Sequence, residues 1–262
     1  MAFDLSNLKT TASVHPPRVL IYGPPGLGKT SLAAEFPSPV IMNLEDGVPN
    51  GVEIMSLGDL EEWSEVMAAL TALFTQDHDF KTLIVDSLDR LEAMAQRHVC
   101  KENKWASIED AGYGKGYVIA ADTLQKFLSA CNWLRTKRGM NIVYIAHSAI
   151  GRFDDPQSGA YSKYDIRLHK HVNGLFEDDV DAILFINQDV SVQSDDVGFG
   201  KAVKRAEGGG WRWIYTEARP SFTAKNRYGM PARVKYDKGK GYEALRPYLP
   251  GQDLVAAKEE AA

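Results

Sequence analysis

The run Gly23-Pro-Pro-Gly-Leu-Gly28-Lys29-Thr30 fits the pattern G-x-x-x-x-G-K-[ST], and it lies between an apolar stretch, Arg18 to Tyr22, and a helix-like stretch from about Lys29 to Phe36. This spacing constrains the fold more than any other feature. A short buried strand must turn through glycines into a helix, so that backbone N–H groups at the helix start point back into the turn. Such amides close around phosphate oxygens, and the helix dipole favours negative charge there. Gly23, Pro24, Pro25, Gly26, Leu27, Gly28, Lys29, Thr30 and Ser31 are therefore the candidate phosphate-binding residues. Lys29 has the reach for the β- and γ-phosphates of ATP, and the Thr30 hydroxyl suits a Mg²⁺ position. The glycine spacing does not fit a dinucleotide fingerprint.

A phosphate loop of this kind needs a second metal-orienting carboxylate at the end of a neighbouring strand. Thr82-Leu-Ile-Val-Asp86 supplies Asp86, which could also cap the helix that begins near Ser87. Ser87 stands where a glutamate could have served as base, so the base must come from elsewhere. Val40 to Leu44 reads as the next strand and runs into Glu45 and Asp46. Parallel strands bring their C-terminal ends to one crevice, which makes Glu45 a candidate for polarising the attacking water. An ordinary loop carboxylate or a helix-cap partner is the alternative role.

The rest of the chain supports an α/β fold. Apolar residues spaced for one helix face (Leu60, Trp63, Met67, Leu70 and Phe74), a helix from Ser87 to about Lys104, another from about Tyr117 to Thr136, and strands at Val52–Met55, Thr82–Val85 and Ile142–Ala146 alternate as a mostly parallel twisted sheet with helices on both faces requires. After residue 147 the pattern changes. A polar loop, about 149 to 165, precedes a short helix and a strand, Asp181 to Asn187. Segments 189–194, 200–206 and 211–217 then read as short strands of an antiparallel C-terminal extension. The expected organisation is an arm over 1–17, one core over 18–250, and a frayed tail over 251–262.

The order of these features resembles the RecA recombinase core: a Walker A loop, a glutamate ending the next strand, V-D-S at Walker B, and a polar residue ending the strand after that. In that family the last position is usually an N-Q pair that senses the γ-phosphate; here it is Ala146-His147-Ser148, which makes His147 the sensor candidate. Ala224-Lys225-Asn226-Arg227-Tyr-Gly-Met-Pro231 is similar to the K-N-K-x-x-x-P segment of bacterial RecA, in which two basic residues reach the neighbouring subunit's ATP. The resemblance implies that Lys225 and Arg227 act in trans and that the protein is a homo-oligomer, ring or filament. The compact layout resembles the phage-encoded single-strand annealing recombinases, which implies a single-stranded DNA partner.

RecA-like cores hold DNA through two mobile loops. The first would be about 101–117, with Lys101, Lys104, Trp105, Tyr113, Lys115 and Tyr117; the second about 149–171, with Arg152, Lys163, Arg167, His169 and Lys170. Basic and aromatic side chains together suit phosphate contact and base stacking. Charge is uneven along the chain: residues 1–200 hold 17 basic and 28 acidic side chains, whereas 201–240 hold 11 and 3. The net charge of −5 argues against wholesale coating of nucleic acid, but the basic stretch leaves room for an anionic partner. The start has no signal-peptide pattern and no apolar run is long enough to span a bilayer, so a cytoplasmic location is expected. Cys100 and Cys131 fit neither a zinc site nor a disulfide framework.

Two other functional classes stay open. GPPGLGKT is typical of AAA+ loaders and remodellers, although those usually carry D-E at Walker B and a helical lid. The third class is a binding module in which ATP orders loops without being hydrolysed.

Overall fold

The computed structural model describes residues 15–45, 51–155, 159–196 and 202–250. Most of the expected arm, the tail after Pro250, Asp46, and residues 200–201 of one expected strand lie outside the described residues.

Strand β1 (Arg18–Gly23) leads through the glycine loop into α1 (Lys29–Ala34), then β2 (Pro39–Asn43), the two-residue β3 (Met55–Ser56), α2 (Trp63–Thr75), β4 (Thr82–Asp86), α3 (Leu88–Asn103), α4 (Lys115–Trp133) and β5 (Asn141–Asp155). The second half holds β6 (Gly159–Ile166), α5 (Lys170–Asp179), β7 (Ala182–Asp196), β8 (Ala202–Tyr215), β9 (Lys225–Asn226), β10 (Arg233–Lys235) and α6 (Gly241–Leu245). Among the described residues the sheet runs β10-β8-β7-β1-β5-β4-β2-β3. The central strands from β7 to β2 are parallel, while β8, β9 and β10 join antiparallel. The expected α/β architecture, a mostly parallel sheet with an antiparallel C-terminal extension, is the one observed.

Strand β1 reads as a continuous apolar run because both of its faces are covered. Leu20 and Tyr22 pack into a core with residues of α2, α3, α4 and α5, whereas Val19 and Ile21 pack on the other face with Leu32 and Ala33 of α1 and Leu245 of α6. Helices thus lie on both faces, and the C-terminal segment shares a core with the helix that follows the glycine loop.

Three expectations are corrected. The polar loop expected at 149–165 is a β-hairpin: β5 runs on past the sheet and pairs with β6, Ile150 opposite Tyr164 and Phe153 opposite Tyr161. Its outer residues, including Ile150 and Phe153, are exposed, so no half-buried alternation advertised the strands. The mobile loop expected at 101–117 is mostly helical. It consists of the end of α3, a 3-10 turn at Ile108–Ala111 capped reciprocally by Ser107 and Asp110, and the start of α4. The three short strands expected after residue 188 are two long ones, β7 and β8, whose register shifts between Gln188 and Val190. At that irregularity Gly210 is required, because a Cβ there would lie 2.5 Å from the Asp189 carbonyl oxygen.

Candidate nucleotide site

The parallel register decides which strand ends meet. Gly23 of β1 sits beside His147 of β5, and Asn43 of β2 beside Asp86 of β4. Leu44 N donates to the Asp86 carbonyl at 2.6 Å, which carries the chain on so that Glu45 stands next to Ser87. The glycine loop, Glu45, Asp86 and His147 therefore line one cleft at the C-terminal edge of the sheet, where open α/β sheets bind ligands.

The loop itself is tightly placed. A Cβ on Gly23 would come within 2.3 Å of the Ile186 carbonyl oxygen, so only glycine lets the chain leave β1 against β7. Gly28 precedes α1 in the left-handed region at φ 94°, and its carbonyl accepts from the Tyr236 hydroxyl at 2.9 Å. Around Gly26 the space is open. Lys29 is buried, and its Nζ donates to the carbonyls of Gly23 at 3.0 Å and Pro24 at 3.1 Å. Burial pulls its pKa below the usual lysine value, against the charges of Asp86, Asp89 and Glu45.

Thr30 Oγ1 donates to Asp86 Oδ2 at 2.6 Å. Burial raises the Asp86 pKa, the Thr30 hydrogen bond works against the rise, and the Glu45 charge adds to it. A hydroxyl and a carboxylate side by side form a hard-oxygen pair suited to Mg²⁺. With a buried ammonium and an open glycine turn beside them, these residues fit a nucleotide triphosphate and its metal.

The opposite wall is a polar network. Ser87 Oγ donates to Glu45 Oε1, and His147 Nδ1 lies 3.6 Å from that oxygen and 3.2 Å from Asp89 Oδ2. The His147 backbone N–H donates to the same Asp89 oxygen at 2.9 Å, while Arg167 Nε donates to Asp89 Oδ1 at 2.6 Å. Glu45, Asp89 and His147 each bring one ligand atom within 4.8 Å of the others. With Arg167 on one Asp89 oxygen and the His147 peptide on the other, that carboxylate is already charge-compensated, and the trio reads as a network that holds the His147 ring.

Sequence reasoning missed Asp89, Tyr236, Arg212 and Lys238. Arg212 and Lys238 line the same cleft as Lys29 and Thr30. The one signal for them was the basic excess over 201–240. Nothing local marked Asp89, which lies in the first turn of α3.

Lys225 and Arg227 are not in this cleft. Ile183 pairs with Lys225, and Ala182 pairs with Val19 at the start of β1, so both basic residues sit at the opposite end of the strands from Gly23. Lys225 Nζ donates to the Glu177 and Asp178 carbonyls at the end of α5, and Arg227 lies 3.4 Å from Asp181.

The expected DNA-contacting residues lie on several elements and are partly engaged. Lys101 lies 3.5 Å from Glu62, Lys104 caps the end of α3, Trp105 lines a shallow cleft with Lys101 and Glu62, and Lys115 begins α4. On the hairpin Arg152 pairs with Asp154, and Lys163 stands over the Phe153 ring. Lys170 begins α5. Tyr117 stacks on His169, ring centroids 4.1 Å apart, and so joins the two segments expected to be separate loops.

A protein-family profile described as an AAA domain matches residues 15–228. The chain belongs to that family. In this AAA domain the Asp86-Ser87 pair and the strand-rich C-terminal part depart from the D-E motif and helical lid usual in AAA+ loaders. No curated protein matches it. Among solved structures, that of the RadB recombinase is similar at 13% identity and a TM-score of 0.42, over 78% of this chain and 81% of the other. Likeness at that level bears on neither activity nor partners. The family and the sheet together make the AAA domain a nucleotide-binding P-loop core, and no described helix is long and apolar enough to cross a membrane.

Proposed function

We propose that this AAA domain is a Mg²⁺-dependent ATPase whose turnover is coupled to single-stranded DNA held along the β5–β6 hairpin, in recombination or strand annealing of the phage type. The observation that carries the ATPase reading is the Thr30–Asp86 hydrogen bond in a cleft that also holds Lys29, Glu45 and His147. Lys29 binds the terminal phosphates, and Thr30 and Asp86 hold the metal, which when bound neutralises charge on the transferring phosphoryl group. Glu45, fixed by Ser87, takes a proton from the attacking water, and His147, held by Asp89, contacts the terminal phosphate. Lys225 and Arg227 can reach a nucleotide only from a neighbouring copy, which ties their catalytic role to a homo-oligomer.

The DNA reading is supported by continuity. His147 and the hairpin belong to the same strand, and Arg167, just past the hairpin, bonds to the carboxylate that holds His147. Basic groups on the hairpin (Arg152, Lys163), on α5 (Lys170) and on the Lys101–Lys115 segment with Trp105 provide phosphate contact and stacking. The test is ATPase rate with and without single-stranded DNA across a salt series. Stimulation that falls steeply with salt is expected. Turnover indifferent to DNA would point to the second reading, a loader or remodeller of protein complexes, which the AAA family match favours.

A further inference from the structure

Besides Glu45, Asp86 and His147, the nucleotide cleft has a wall made by Arg212 and Lys238 of the C-terminal segment. This wall is fastened to the glycine loop and its helix. Tyr236 N donates to the Arg212 carbonyl at 2.9 Å, the Tyr236 hydroxyl to the Gly28 carbonyl at 2.9 Å, and Gly239 N to Glu35 Oε1 on α1's C-cap at 2.7 Å. Gly241 packs so closely on Leu32 of α1 that an added Cβ would stand 2.5 Å from its Cδ1. The two basic side chains are thus set on a braced backbone.

Their neighbours are spoken for and they are not. Alternation along β8 sends Trp211 and Trp213 to one face, where Lys235 lies 3.3 Å from the Trp211 ring centroid and Arg233 lies 4.2 Å from that of Trp213. Arg212 falls on the other face, in the cleft. Neither the Arg212 nor the Lys238 side chain has a hydrogen bond or ion pair among the described residues. Lys29 is the lone cation of the loop, and it faces Asp86, Asp89 and Glu45. With Asp89 paired to Arg167, Asp86 and Glu45 still outnumber Lys29 among the side chains there, so Arg212 and Lys238 are the cations left to meet a polyanion that enters with its metal. Lys238 and Ser31 also line a second cleft of about 440 Å³, together with Ala34 and Glu35.

Building on the ATPase reading, we propose that Arg212 and Lys238 complete the phosphate site within a single subunit, with Lys238 at the junction between the phosphate end and the nucleoside end. The recognised group is the polyphosphate chain. Arg212 offers a planar fork of donors and Lys238 a mobile ammonium.

The experiment is calorimetric titration of the full chain, with Mg²⁺, by ATP and separately by inorganic tripolyphosphate. It compares the parent, Arg212→Ala, Lys238→Ala, the double variant, the conservative Arg212→Lys and Lys29→Ala. Each single alanine variant is expected to weaken both ligands about tenfold, the loss of roughly one charge-assisted hydrogen bond, and the double variant more. Arg212→Lys recovers part of the loss, and an unchanged melting profile excludes misfolding. A double variant that binds both ligands like the parent, while Lys29→Ala loses them, overturns this proposal and leaves the ATPase reading standing. Weakened ATP with unchanged tripolyphosphate overturns it too, since the contact is then with the nucleoside. A parent that takes up no ATP overturns both.

Discussion

Thr30 Oγ1 donates to Asp86 Oδ2 at 2.6 Å, a contact made across 56 residues of sequence. The end of β4 and the start of the helix that follows β1, two parallel strands that flank β5, are needed to bring these groups together, and a chance glycine turn with a nearby lysine has no reason to place them so. Substituting either one tests the metal position. Thr30→Val and Asp86→Asn are each expected to remove the Mg²⁺-dependent part of ATP affinity, about tenfold or more, while binding without metal is unchanged or tighter. Titrations with Mg²⁺ and with a chelator check this; equal losses under both conditions count against a metal role.

The acid limb of that affinity follows from Asp86. Burial raises its pKa, the Thr30 hydrogen bond opposes the rise, and the Glu45 charge adds to it. Only the carboxylate form holds Mg²⁺, so Mg²⁺-dependent affinity falls as pH drops through the raised pKa. Its midpoint is expected above the ordinary aspartate value of about 3.9. Binding measured over a pH series checks the sign, and an acid midpoint at or below the ordinary value contradicts it.

Glu45 accepts from Ser87 and lies beside His147 at 3.6 Å. If it takes the proton from water, Glu45→Gln keeps ATP affinity within about threefold of the parent and lowers turnover by roughly 100-fold. Phosphate release in a single turnover, set beside a binding isotherm, separates the two effects. Full biological activity in a variant without turnover would support the binding-only alternative.

Asp181 has a structural duty at the far end of the sheet. It pairs with Arg18 at 3.0 Å, Arg135 at 3.3 Å and Arg227 at 3.4 Å. Burial alone would raise its pKa; the Arg18 hydrogen bond and charge, then Arg135, hold it below the usual value. Because the folded pKa is depressed, this stabilisation is present above the unfolded value of about 3.9 and is lost as pH falls through the lower folded one. Asp181→Ala leaves Arg135 and Arg227 without their carboxylate and Arg18 with Asp179 alone, and is expected to cost about 3 kcal/mol at neutral pH. For a chain of this size that is a drop of roughly 6 to 12 °C in melting temperature. A thermal melt indistinguishable from the parent's rules this out.

What the sequence determined was the segment whose chemistry is local. The strand–glycine–helix run from Arg18 to Ala34 and the Thr82–Asp86 strand could be read directly, because buried parallel strands are continuous apolar runs and glycine spacing is legible in one dimension. Glu45 could be named because parallel strands end on one edge, which is a rule of topology, and His147 through the motif order that resembles the RecA core. Tertiary structure alone decided the rest. Asp89 meets His147 across 58 residues, and Tyr236 meets Gly28 across 208, with no periodicity linking either pair. The β5–β6 hairpin escaped for the opposite reason: its strands are exposed on the outside, so no hydrophobic alternation recorded them, and only cross-strand pairing gives them their form.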